Sequence, residues 1–115
     1  MDIILLTENK KQYIDLLLLA DEQESMIDRY LERGDMFVLN DNGVKAICVV
    51  ADETNGICEL KNIAVTSESQ RQGYGKRLIN YLVKHYAGKY TQMIVGTGDV
   101  PSSVSFYKSC GFEYS

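Results

Sequence analysis

Between a β-branched run that ends at Val65 and an amphipathic helical stripe that begins near Gly73 lies the segment Gln70-Arg71-Gln72-Gly73-Tyr74-Gly75-Lys76. These seven residues constrain the fold more than any others in the chain. Glycine at the entry of a helix lets the backbone take positive φ and approach a ligand closely. The first-turn N–H groups have no intrahelical partner and make a ready site for phosphate oxygens. Arg71 and Lys76 add local positive charge. The same strand–turn–helix also serves packing alone, and the turn by itself leaves both readings open. It does exclude two nucleotide patterns. Lys76-Arg77-Leu78 follows Gly75, so the third glycine of G-x-G-x-x-G is absent, and no G-K-[ST] occurs.

The rest of the chain supplies the context of that turn. Ile3 to Leu6 reads as a short buried strand, and Asn9 to Ala20 as a helix too apolar for an exposed face. Asp21 and Glu24 have the spacing of a capping box ahead of a second helix that carries Met26, Ile27, Tyr30 and Leu31 and stops at Gly34. Met36 to Leu39, Val44 to Ala51 and Ile57 to Val65 are strand-like, separated by Asp41-Asn42-Gly43 and by a loop ending Asn55-Gly56, which predicts an antiparallel meander. Leu78, Ile79, Leu82, Val83 and Tyr86 form one helical stripe before Gly88, and Tyr90 to Thr97 reads as a strand. A short helix from Pro101 to Gly111 and the start of a strand at Phe112 complete the order βααβββαβαβ.

Composition bounds what such a fold does. The 115 residues suit one domain, and 45% hydrophobic with 24% charged residues fits a soluble globule with a real core. The apolar run Leu16 to Ala20 is far shorter than the roughly 18 residues of a membrane span, and the N-terminus lacks the features of a secretory signal. A cytoplasmic protein without membrane association is expected. Twelve basic against sixteen acidic residues leave a net charge of −4, which disfavours nucleic acid as a partner. Cys48, Cys58 and Cys110 are odd in number and have only His85 to help them, so buried free thiols are expected and no metal site.

With these elements in place, the chain resembles the GNAT superfamily of acetyl-CoA-dependent N-acetyltransferases. The family's pyrophosphate loop, Q/R-x-x-G-x-G/A, is matched by Gln70, Gly73 and Gly75. Its later F/L-Y-x-x-x-G-F segment is matched by Phe106-Tyr107-Lys108-Ser109-Cys110-Gly111-Phe112. The resemblance runs from Ile3 to Phe112 and implies an α/β fold of the α+β type, a mixed and mostly antiparallel sheet with helices on both faces, in a single domain over residues 1–115. It implies an enzyme that binds acetyl-CoA as cosubstrate and passes the acetyl group to a primary amine by direct attack in a ternary complex. Two alternatives share the fold: a non-catalytic acyl-CoA-binding sensor or assembly module, and a protein lysine or N-terminal acetyltransferase. The acceptor is then a small-molecule amine or a peptide amine.

The resemblance places site residues. Main-chain amides of Arg71, Gln72, Gly73, Gly75 and Lys76 would hold the pyrophosphate, and main-chain groups of Ile63 and Val65 would pair with pantetheine. Tyr107 takes the place of the tyrosine that protonates the departing thiolate. A phenol of pKa about 10 is protonated at neutral pH and suits that task, while packing is the plain alternative. Glu59 lies eleven residues before Gln70, which resembles the position of the catalytic glutamate in the histone-acetyltransferase branch. A carboxylate there would take the proton of the attacking amine. Strand alternation puts it on one face with Ile57, Ile63 and Val65, and with Lys61, so a solvated Glu–Lys pair is the competing expectation. His85 suits a surface role near a helix C-terminus, and an acetyl-cysteine route through Cys58 or Cys110 is a minor option.

Two departures from the family pattern are visible. The Asn often found seven residues before the tyrosine is replaced by Val100, beside Asp99. After Gly111-Phe112 the family continues into a further strand, whereas this sequence ends at Ser115. Either residues beyond Ser115 or a strand from a second copy, giving a homodimer, would complete such a sheet.

Overall fold

Two Asn-Gly pairs build the middle of the molecule. The computed structural model describes residues 1–95, and in it Asn42 and Gly43 hold φ 55° and 112°, Asn55 and Gly56 φ 56° and 75°. Two successive positive φ values match the right-handed twist of the strands that such turns join. The pairs accordingly close hairpins between β2 (Asp35–Asn40) and β3 (Val44–Thr54), and between β3 and β4 (Ile57–Val65). β1 (Asp2–Leu6) pairs antiparallel with β2, and β5 (Gln92–Val95) pairs parallel with β4, so the five strands lie in the order β1-β2-β3-β4-β5.

Helices cover both faces. On one side α3 (Tyr74–Tyr86) lays Leu78, Ile79 and Leu82 on a core that includes Phe37, Cys48 and Leu60. On the other side α1 (Ile14–Ala20) and α2 (Glu24–Ile27) contribute Leu17 and Ile27 to a core with Ile47 and Val49. Consecutive residues of β2 and β3 therefore alternate between two cores, which is why these strands read as continuous apolar runs. Among the described residues, no helix is long and apolar enough to cross a membrane.

Several sequence expectations change in detail. Ile3 to Leu6 is not buried: β1 has only β2 as a neighbour among the described strands, and Ile4 and Leu5 are 53% and 45% exposed. The predicted Asn9–Ala20 helix is divided: Asn9 stands before it at φ 54°, Lys10–Tyr13 forms a 3-10 turn, and Tyr13 at φ −107° and ψ 30° interrupts the coil before α1. α1 is half-buried, with Leu17 enclosed and Leu19 exposed. The capping box does not form. Gln23 takes the N-cap of α2 without a side-chain bond, and the Asp21 carboxylate instead accepts a 3.4 Å bond from the Gln23 amide. Val83 belongs to the predicted stripe but is exposed, and Tyr90 precedes β5, joined to Ala87 by an isolated bridge.

Candidate functional site

Both parts of the candidate site spring from β4. At its C-terminal end, the Thr66 amide bonds to the Lys45 carbonyl and a 3-10 turn over Ser67–Ser69 follows. The chain is extended at Gln70, left-handed at Arg71 (φ 66°) and left-handed again at Gly73, which enters α3 with φ 84°. Among the described residues no side chain caps the helix, and a Cβ added to Gly73 would meet nothing within 4 Å. The first-turn amides have no intrahelical partner, and the residue at their head offers no side-chain obstacle. The loop's side chains turn back on its own backbone: Gln70 donates to the Val65 carbonyl at 3.4 Å and Gln72 to that of Glu68 at 3.2 Å. Tyr74 ties the loop to the β2–β3 hairpin through a 2.9 Å bond to the Asp41 carboxylate, which pushes the phenol pKa up. Arg71 and Lys76 are exposed, and Gly75 is buried against the sheet side of α3.

Within β4 the register shifts. Val49 pairs with Asn62 and Val50 with Leu60, so Lys61 is an extra residue that bulges from the β3–β4 ladder. A bulge of one residue exchanges the faces on either side of it. Cys58 and Leu60 point to the α3 core, and beyond the bulge Ile63 and Val65 point there too, while Asn62 lies with the α1 side. The expectation that Glu59 shares a face with Ile63 and Val65 is therefore wrong: simple alternation does not cross the bulge. Glu59, opposite in sense to Cys58 and Leu60, is on the α1 and α2 side.

There Glu59 is paired. Lys61 Nζ lies 2.7 Å from Glu59 Oε2 and 2.9 Å from Glu53 Oε1, and Arg33 reaches Glu53 at 3.3 Å. Partial burial pulls the Lys61 ammonium down, but its hydrogen bonds to Glu59 and Glu53 outweigh this and leave its pKa raised. The hydrogen bond from Lys61, helped by Arg33, holds the Glu53 carboxyl below its usual range. The Glu–Lys pair anticipated from the sequence forms. Described β4–β5 pairing runs from Ile57–Gln92 to Leu60–Val95, and Ile63 and Val65 lie past its last rung.

Other sequence candidates separate from this centre. Cys48 and Cys58 are buried free thiols; burial pushes Cys58 up to about 11, so it is protonated at neutral pH and a poor nucleophile. Cys58 instead lines a cavity of about 160 Å³ with Tyr86, Tyr90 and Met93, at the end of α3 remote from the glycine loop. His85 is exposed and stacks on Tyr81 at 5.5 Å, with its edge contact to Phe37 at 5.3 Å. Tyr107, Cys110, Asp99 and Val100 lie outside the described residues. Sequence reasoning missed Asn62, a buried amide that donates to the Leu17 carbonyl and to the Tyr30 hydroxyl, both at 3.0 Å. The available signal was an amide, poorly suited to a strand, inside the apolar run Ile57 to Val65.

Comparison with known proteins agrees with this fold. Residues 32–114 match the profile described as acetyltransferase (GNAT) domain. The uncharacterized N-acetyltransferase YvbK of Bacillus subtilis (strain 168) is 32% identical over 109 residues, covering 92% of this chain and 70% of the relative. A crystal structure of a GNAT family acetyltransferase from Elizabethkingia anophelis with acetyl-CoA bound is 30% identical, with TM-score 0.89 over 97% of this chain and 75% of the other. The Bacillus subtilis acetyltransferase in complex with CoA is 32% identical, with TM-score 0.86 over 96% and 75%. The family match over residues 32–114 and the relatives at 30% identity or more agree, and the chain belongs to the GNAT family of acetyltransferases.

Proposed function

We propose that the chain binds acetyl-CoA and a primary amine together and transfers the acetyl group directly to the amine. The observation that carries this reading is the left-handed Gly73 at the head of α3, with first-turn amides uncapped by any described side chain and no described atom within 4 Å of where a Gly73 Cβ would stand. Such a cradle fits a pyrophosphate, whose oxygens would accept from the amides of Arg71, Gln72, Gly73, Gly75 and Lys76 while the Arg71 and Lys76 side chains add positive charge. The acetyl-CoA and CoA held by the two solved relatives support the choice of ligand.

On this reading the main chain of Ile63 and Val65 runs beside pantetheine, and the Ile63 N–H polarises the thioester carbonyl. Glu59 removes the amine proton, either through water or on exchange of its bond with Lys61, and the nitrogen attacks the carbonyl carbon. The tetrahedral adduct collapses with loss of the thiolate, which takes a proton from Tyr107. Holding both reactants against one strand supplies the proximity that a bimolecular reaction in water lacks.

Titration calorimetry with CoA, then thiol release from acetyl-CoA in the presence of spermidine, tyramine, lysine or a tetrapeptide with a free N-terminus, tests the proposal. Binding of CoA with amine-dependent thiol release is expected. No heat at millimolar CoA overturns the reading, and binding without turnover of any amine favours an acyl-CoA-binding module.

A further inference from the structure

Asn62 is 3% exposed, and the amide makes two bonds that span the chain. Its Nδ2 donates to the carbonyl of Leu17, in α1, and to the hydroxyl of Tyr30, which follows α2. Tyr30 in turn donates to Asp21 Oδ2 at 3.3 Å, and Asp21 Oδ1 accepts from the Gln23 amide at 3.4 Å. The Leu17 carbonyl can only accept, which fixes the amide's orientation and commits both of its hydrogens. Oδ1 is then left without a partner among the described residues. Burying an unpaired amide oxygen carries a free-energy cost that an apolar side chain would not, so the two donations are what an amide supplies here.

The position of this latch within β4 matters. Asn62 stands between Lys61, which holds Glu59, and Ile63, whose main chain is the proposed partner of the thioester. The Lys61 bulge is what turns Asn62 toward α1. We infer that Asn62 is a positioning residue for the amine: through Leu17 and the Tyr30–Asp21 relay it holds the end of α1 and the Asp21–Gln23 bend against the face of β4 that carries Glu59. This rests on the acetyltransferase reading above. The glycine loop lies at the C-terminal end of β4 and makes no bond to this relay, so the latch orders the acceptor's side of the site independently of the coenzyme's side.

The test uses Asn62→Leu and Tyr30→Phe, with CoA calorimetry, steady-state kinetics on the most active amine of the panel, and hydrogen exchange at Gln23. Either substitution is expected to raise KM for the amine about tenfold or more, with kcat and the CoA dissociation constant changed by less than about threefold, and to accelerate exchange at Gln23. A purely structural role would weaken CoA and amine together. That outcome, or unchanged amine KM, or unchanged exchange at Gln23, overturns the inference. If Asn62→Leu does not fold, Tyr30→Phe, which keeps the ring in the core, decides alone. Failure of the wild-type chain to bind CoA would instead overturn the acetyltransferase reading, and unchanged exchange at Gln23 in the variants would still overturn the latch.

Discussion

At Gly73 the backbone holds φ 84° and ψ 9°, and no described atom lies within 4 Å of where a Cβ would stand. An L-residue in that conformation costs about 1–2 kcal/mol, and its methyl would stand where the proposed pyrophosphate approaches. Gly73→Ala should therefore lower stability by that amount and weaken CoA binding about tenfold or more, because both the space and the amide directions change. Gly43→Ala is the control: it also has positive φ and, among the described residues, an open Cβ direction, but it lies in the β2–β3 hairpin, so it should destabilise comparably without changing CoA affinity. Equal CoA affinity in the two variants would remove the loop from binding. A second residue-scale prediction concerns Tyr86, whose hydroxyl donates to Asp35 at 2.6 Å. Burial, then the Asp35 carboxylate, pushes its pKa well above the ordinary phenol value. The folded state keeps this proton after the unfolded chain has released it, so the stabilisation is complete below about pH 10 and is lost as pH rises toward the folded pKa. Alkaline unfolding monitored by circular dichroism should show stability falling above pH 10, with a shallower fall in Tyr86→Phe.

The element that most repays attention is β4, because its bulge decides which side chains meet. The strand from Ile57 to Val65 was legible in the sequence, as were the hairpins, since Asn42-Gly43 and Asn55-Gly56 carry the positive φ values their turns require. The α3 stripe was legible too, through the recurrence of Leu78, Ile79, Leu82 and Tyr86 on one face. The bulge was not. A shift of one residue at Lys61 depends on how β4 lies against β3, a long-range fit that leaves no local signature in the run itself. For the same reason the sequence pointed to Glu59 and Lys61 as a pair but misplaced them relative to Ile63, and missed the partner of Asn62, 45 residues away in α1. The Glu59 pair gives the element its own prediction. The Lys61 ammonium lies 2.7 Å from Glu59 and 2.9 Å from Glu53. If Glu59 is the base, Glu59→Gln should lower kcat about a hundredfold or more while CoA affinity stays unchanged. A kcat within about threefold of the wild type would return Glu59 to a purely structural pair.

At the scale of the molecule the sheet is covered on two faces by layers of unequal security. α3 is thirteen residues long and buries four large side chains, whereas α1 and α2 have seven and four residues and are tied down by polar contacts as well as by Leu17, Ile27 and Leu31. Chief among those contacts is Lys10, 7% exposed, whose ammonium donates to the carbonyls of Leu31 at 2.9 Å, Glu32 at 3.3 Å and Gly34 at 2.7 Å. It joins the 3-10 turn before α1 to the turn that leads into β2, and it satisfies three carbonyls that no continuing helix would reach. Lys10→Met keeps most of the side chain's length but removes every donor, leaving buried carbonyls unpaired at a cost of roughly 2–4 kcal/mol. Lys11, the next residue, makes ion pairs of 2.8 Å with Glu24 and 2.7 Å with Asp28, but all three side chains are about half exposed. Water competes for those partners, so Lys11→Met should leave the urea midpoint almost unmoved. The two adjacent lysines thus carry opposite expectations in one denaturation experiment: a large fall in midpoint with unchanged slope for Lys10→Met and nearly none for Lys11→Met. Because Lys10 lies far in sequence from the glycine loop, its variant should retain CoA affinity under conditions where it is folded. A midpoint equal to that of the wild type would mean that water replaces the ammonium at those carbonyls and that the N-terminal layer is held by its apolar contacts alone.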